Sequence, residues 1–346
     1  MKAAEFEKPF NLVVKDFKKP IVKAGEILIK VHSCALCGSD IRIFKGEKKI
    51  DVPITGHEIS GVIESIGSGI KGYKIGDHVA IETVIGCSSC LPCKSGYENL
   101  CLKGFSAIGY QYNGGFAEYV KMPKNAVNQG CVIKIPKKLD FDEVTLIEPL
   151  SCVINGLDNL NIKKGSTVAI FGAGLMGCLC VEYAKILGAS KVILINRSLP
   201  RINLAKKIKL CADEFVVGSD PVDSVMKLTK GVGVDAAVCA ASVKEVQKSA
   251  LEITAVNGHV SYFAGISKDD PFNKIDTNLI HYKELHIHGA NSSNLGQYRK
   301  ALKLISSGKI NASKFITHKF DLKDINTAFK VLQDRSKGAL KVVIRC

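Results

Sequence analysis

The chain has 346 residues, 46% of them hydrophobic and 23% charged, which is enough for two domains with separate cores. Trp is absent and aromatics make up only 7%, so those cores rest on Ile, Val, Leu and Ala. The formal net charge is +15, but the Lys residues are spread along the chain without a dense block or interleaved aromatics; this argues against a nucleic-acid partner and leaves an anionic cofactor or substrate open.

The chain opens with Met1-Lys2-Ala3-Ala4-Glu5-Phe6, which lacks the apolar middle of a signal peptide, and no later apolar run is long enough to span a bilayer. A cytoplasmic protein with no membrane partner is expected. Thirteen cysteines in a reducing compartment read first as metal ligands where they cluster. The scattered ones, Cys131, Cys178, Cys180, Cys211, Cys239 and Cys346, sit among apolar residues and read as small core hydrophobes.

Residues 1–150 hold β-branched runs broken by Gly and Pro, such as 26–31 and 57–66, the pattern of an irregular β-barrel. Within them lie Cys37-Gly38-Ser39-Asp40 and Gly56-His57-Glu58-x2-Gly61-x5-Gly67-x2-Ile70. One Cys and one His so far apart do not by themselves specify a metal. Cys87-x2-Cys90-x2-Cys93-x7-Cys101 does: four thiolates within fifteen residues suit a closed tetrahedral zinc site. The loop between them is turn-rich and nearly core-free, and no coordination position is left open, so this zinc, in a lobe spanning 86–102, is expected to be structural.

From about residue 155 to 289, strand-like runs (167–171, 191–195, 236–239, 259–264) alternate with helical ones (175–187, 200–208), predicting a doubly wound parallel sheet. The first strand runs into Gly172-Ala173-Gly174-Leu175-Met176-Gly177 and a helix follows. Gly172 permits the turn, Gly174 lets backbone approach a pyrophosphate and Gly177 lets the helix meet the strand, while the N–H groups of Leu175 and Met176 open the helix toward phosphates. The second strand ends in Asn196-Arg197-Ser198, with Arg201 nearby and no acid for the ribose hydroxyls. A carboxylate would repel a 2′-phosphate, whereas Asn, Ser and Arg can bind one, so NADP(H) is favoured over NAD(H). The tail reads as a helix at 295–307, an extended run at 314–321, a helix at 325–334 and a final strand at 339–344.

Taken together, the Gly56–Ile70 stretch, Cys37-Gly38-Ser39-Asp40, the four-Cys lobe, Gly114-Gly115-Phe116-Ala117-Glu118-Tyr119, Glu148-Pro149-Leu150-Ser151 and the Gly172–Gly177 turn resemble, in order, the zinc-containing medium-chain alcohol and polyol dehydrogenases. Glu-Pro-Leu-Ser and Thr317-His318-Lys319-Phe320 resemble the sorbitol (iditol) dehydrogenase branch. The resemblance covers essentially the whole chain. It implies a chaperonin-10-like barrel formed by 1–152 and 290–346, with a Rossmann domain, 153–289, inserted into it. It implies two zinc ions per chain, the catalytic one on Cys37 and His57. Glu58 would be a ligand as in the polyol branch, and Glu148 would bind the metal or its water, with Cys152 a rival. Ser39 would be the first proton-relay hydroxyl, and Lys341 would meet the cofactor pyrophosphate. Where the relay often continues through a His, this chain has Arg42, read as a surface ion pair or an anion contact. The implied reaction is hydride transfer between NAD(P) and a secondary alcohol or its ketone, a polyol or sugar alcohol first, in a homodimer or homotetramer. Polyol-phosphate, threonine and inosose-type dehydrogenases of the same family are alternatives, and a non-catalytic zinc and nucleotide-binding protein is a remote one.

Overall fold

The computed structural model describes residues 1–346, the side chain of Arg335 excepted. Two compact units form, Met1–Ser151 with Ser293–Cys346, and Cys152–Ser292. No helix among the described residues is long and apolar enough to cross a membrane.

The first unit is built on a seven-stranded sheet around Ile27–Ala35. That strand is antiparallel to Glu58–Ile66, to Lys341–Arg345 and to Tyr119–Met122. Seven of its nine residues are buried, Lys30 and His32 being the exceptions, so it reads as a nearly continuous apolar run. Register shifts at Leu28/Ile29 and Val31/Ser33 bend the pair it makes with Glu58–Ile66. Gly61 sits in this stretch because a Cβ there would lie 2.2 Å from the Lys30 carbonyl oxygen. Beyond it come His78–Ile81 and Val132–Lys134, and Ile316–Asp321 lies parallel to the last strand at the other edge.

Asp142 ties the short helix Phe141–Val144 to this sheet. It accepts from Ser33 Oγ at 2.5 Å and pairs with Lys319 Nζ at 2.6 Å and Arg345 Nη2 at 2.8 Å. Burial alone would raise its pKa, but Arg345, Lys319 and Ser33 outweigh burial and bring it down to about 2. A carboxyl depressed in the folded state stabilises above its unfolded pKa of about 3.9, and that stability is lost as pH falls toward about 2. The full linkage is about 2 kcal/mol, discounted because Lys319 and Arg345 are half exposed. Asp142→Asn is therefore expected to lower stability by about 1–2 kcal/mol at neutral pH, with a much smaller deficit near pH 2, in denaturant titrations at both pH values.

The second unit is a six-stranded, wholly parallel sheet in the order 214–217, 191–196, 167–171, 234–239, 254–262, 286–289. Numbered within the unit this is 3-2-1-4-5-6, the doubly wound dinucleotide-binding order. Thr167–Phe171 lies inside the sheet, buried on both faces from Val168 onward. The helices Leu175–Leu187 and Leu199–Lys207 fall where the sequence places them. Cys178, Cys180 and Cys239 are buried as expected, but Cys211 is exposed in the turn leading to Glu214–Val217, so it is not a core residue.

Candidate active site

The first unit clamps the segment before His57 by backbone alone. The N–H groups of Gly114, Gly115 and Phe116 donate to the carbonyls of Ile54, Gly56 and Thr55. The approach is so close that a Cβ on Gly114 would sit 2.2 Å from the Gly56 oxygen, and one on Gly109 2.8 Å from it. Glu58 then enters its strand directly. Cys37 closes the loop after Ile27–Ala35 and caps the short helix Gly38–Phe44, where Asp40 accepts the Cys37 N–H at 2.9 Å.

These elements bring one ligand atom each from Cys37, His57 and Glu58 within 4.8 Å of one another. His57 is 5% exposed. Its Nδ1 lies 3.4 Å from Asp40 Oδ1, and neither atom has a hydrogen-bond partner. A carboxylate behind one imidazole nitrogen is the usual support for a metal on the other. Burial would disfavour an imidazolium here, yet Tyr110, Asp40 and Cys37 push the His57 pKa well above its ordinary value. One thiolate, one imidazole and one carboxylate suit zinc. Glu148 opens the helix Ile147–Leu157 and is not among these three convergent groups. It is near enough to help burial raise Glu58, which reaches about 7 against the pull of Lys341. Cys152 follows four residues later on the same helix and falls in the second unit.

The sulfurs of Cys87, Cys90, Cys93 and Cys101 also lie within 4.8 Å of one another, with Cys87–Cys93 and Cys90–Cys101 at 4.0 Å. Zn–S bonds of about 2.3 Å require tetrahedral S···S edges of roughly 3.8 Å, so the set fits a closed zinc site. Ser89 first, then the N–H groups of Ser89 and Cys90, bring the Cys87 thiol down to about 5, toward the ligating thiolate. Leu91 and Leu102 are exposed, so the lobe has little core of its own and four sulfurs to hold it.

In the second unit the chain leaves Thr167–Phe171 through Gly172 at φ 106° and enters the helix Leu175–Leu187, which Gly174 caps. A Cβ on Gly177 would lie 1.7 Å from the Gly172 oxygen, so that glycine is demanded by the protein itself. A Cβ on exposed Gly174 would meet nothing within 4 Å, which leaves open space above a helix N-terminus.

Two family models match: the alcohol dehydrogenase GroES-like domain over residues 23–137 and the zinc-binding dehydrogenase over 176–307. L-threonine 3-dehydrogenase of Bacillus subtilis is 30% identical over 97% of this chain and 95% of that protein. D-xylulose reductase A of Aspergillus niger is 30% identical over 92% and 89%. The chain belongs to the zinc-binding alcohol dehydrogenase family. A member from Sinorhizobium meliloti, solved bound to NADP, superposes with a TM-score of 0.90 at 30% identity, covering 100% of this chain and 99% of that one. Like its family, the chain is an oxidoreductase that uses zinc and a nicotinamide nucleotide on a small-molecule alcohol.

Several residues of this alcohol dehydrogenase stand elsewhere than the sequence suggests. Lys341, which the resemblance places at the cofactor pyrophosphate, is held inside its own unit. It is 1% exposed, and its ammonium donates to both Glu58 oxygens, at 2.5 and 2.7 Å, and to the Leu36 carbonyl at 3.1 Å. The strand Lys341–Arg345 is interior to the sheet, so its first side chain is enclosed. Asn196 is occupied as well: its Oδ1 accepts the Ala173 N–H at 3.1 Å and its Nδ2 donates to Ser198 O and Oγ, so it braces the glycine turn. Arg197 and Ser198 are exposed at the end of the same strand, with Arg201 one turn on. Arg42, by contrast, forms a surface ion pair, with Glu47 at 3.9 Å. Sequence reasoning passed over Asp40, which stands behind His57, and Tyr110, whose hydroxyl lies 2.8 Å from Ser39 Oγ.

Proposed function

We propose that this enzyme interconverts a polyol and its ketose or ketone, with NADP(H) as the preferred nucleotide. The observation that carries the reading is the convergence of Cys37, His57 and Glu58: three protein donors, one of them a carboxylate, leave a coordination position for substrate. Cys37, His57 and Glu58 would hold the catalytic zinc, with Lys341 balancing Glu58 and Glu148 close by. Cys87, Cys90, Cys93 and Cys101 would hold a structural zinc. When bound, zinc supplies Lewis acidity that lowers the pKa of a substrate hydroxyl, and the nicotinamide takes or gives the hydride. Asp40 keeps the His57 ring oriented. Ser39 Oγ, 3.4 Å from His57 Nε2, stands where it can exchange a proton with the substrate oxygen. In the second unit, the helix opening at Leu175 and Met176 receives the pyrophosphate between Gly172 and Gly177. Arg197, Ser198 and Arg201 supply cationic and hydroxyl donors for a 2′-phosphate.

A phosphorylated polyol is a second reading, favoured by Lys48, whose ammonium sits 3.9 Å over the Tyr110 ring. Nicotinamide absorbance with a panel of polyols, ketoses and their phosphates, each with both nucleotides, tests these readings together. Oxidation of polyols with a higher kcat/KM for NADP than for NAD is expected. A clear preference for NAD removes the 2′-phosphate assignment, and turnover of simple alcohols alone removes the polyol one.

A further inference from the structure

Arg42 offers no way out for a proton: its guanidinium is half exposed on Glu47 and cannot act as a neutral base. The structure supplies a different neighbour for Ser39. Tyr110 Oη donates to Ser39 Oγ at 2.8 Å, and its ring centroid is 5.4 Å from that of His57. Tyr110 is firmly placed. Gly109 before it is left-handed at φ 86° and close against Gly56, the Tyr110 carbonyl accepts from Asp51 N–H at 3.2 Å, and Lys48 lies over the ring face. A His57 Nε2 given to a metal has no lone pair left for Ser39. The serine hydroxyl then has two directions, Tyr110 and the substrate oxygen.

We propose that Tyr110 is the positioning residue that orients the Ser39 hydroxyl and links it to solvent, in place of the usual histidine branch. The proposal rests on the reading of Ser39 above. In carbonyl reduction, Ser39 gives its proton to the substrate oxygen and takes the Tyr110 proton, and Tyr110, a partly exposed residue, takes one from solvent water. In alcohol oxidation both hydroxyls turn about and the same hops run outward. One proton enters and one leaves, and neither hydroxyl changes charge.

The test uses Tyr110→Phe, which removes one oxygen and keeps the ring, beside Ser39→Ala. Tyr110→Phe is expected to lower kcat ten- to a hundredfold with KM changed less than about twofold. Small buffer acids and bases should raise the rate of the variant in proportion to their concentration and leave that of the parent unchanged, an effect that a purely structural role does not produce. Independently of activity, NMR of the metal-depleted protein carrying 13Cζ-tyrosine should show the resonance missing in Tyr110→Phe shifted in Ser39→Ala. A slow Ser39→Ala beside a Tyr110→Phe of normal kcat overturns the Tyr110 role alone, as does an unmoved Tyr110 resonance. A normal kcat in Ser39→Ala overturns the Ser39 reading and this one with it.

Discussion

His57→Ala is expected to lower kcat on the order of a thousandfold or more while the affinity for nucleotide stays unchanged. His57 is one of three convergent donors, and its loss leaves one thiolate and one carboxylate, too few to hold zinc in competition with water. Lewis-acid polarisation is worth several kcal/mol of transition-state stabilisation, and each 1.36 kcal/mol is about tenfold in rate. The nucleotide turn belongs to the other compact unit and shares no residue with this cluster. On the two-zinc reading proposed above, metal content should fall by one ion per chain. Cys90→Ser should also leave one ion per chain, but through the other site, and its main cost should be the stability of the lobe. Elemental analysis, nucleotide titration and initial rates on the two variants distinguish the sites. A His57→Ala enzyme that keeps its kcat removes His57 from the catalytic metal.

What the sequence displays clearly is chemistry that depends on local spacing. The four cysteines within fifteen residues and the glycine turn between strand and helix are each specified by neighbours in the chain, and both assemble as their spacing predicts. The alternation of 155–289 likewise yields a parallel sheet, although Glu214–Val217 and His286–Gly289 are too short to show a period of their own. What stays hidden is the destination of single side chains. Asn196 sits at the ribose-reading position by number, but its amide is consumed by Ala173 and Ser198. Tyr110 lies in an irregular turn whose placement depends on Gly109 touching Gly56, a contact 53 positions apart in sequence that no periodicity announces. Lys341 is the sharpest case. Nothing near it in the chain marks this lysine as buried, because its partners, Leu36 and Glu58, lie 305 and 283 positions away.

Lys341→Met provides the decisive comparison between those two placements. The Lys341 ammonium donates to both oxygens of Glu58, whose carboxylate is fully buried, so in the metal-depleted protein the substitution leaves a buried charge without that partner. Removing one partner of a buried ion pair costs about 3–5 kcal/mol. For a unit of this size that corresponds to roughly ten degrees in the melting temperature. The stranded carboxyl escapes partly by taking up a proton, so the deficit should shrink as pH falls and grow as it rises. In the metal-depleted protein, Glu58→Gln with Lys341→Met together should recover much of the stability, because removing both members of the pair leaves neither charge buried alone, and a double-mutant cycle measures the coupling directly. A lysine that served the cofactor pyrophosphate would behave in the opposite way. Its loss would weaken nucleotide binding and leave the melting temperature nearly unchanged, and the second substitution at Glu58 would restore nothing.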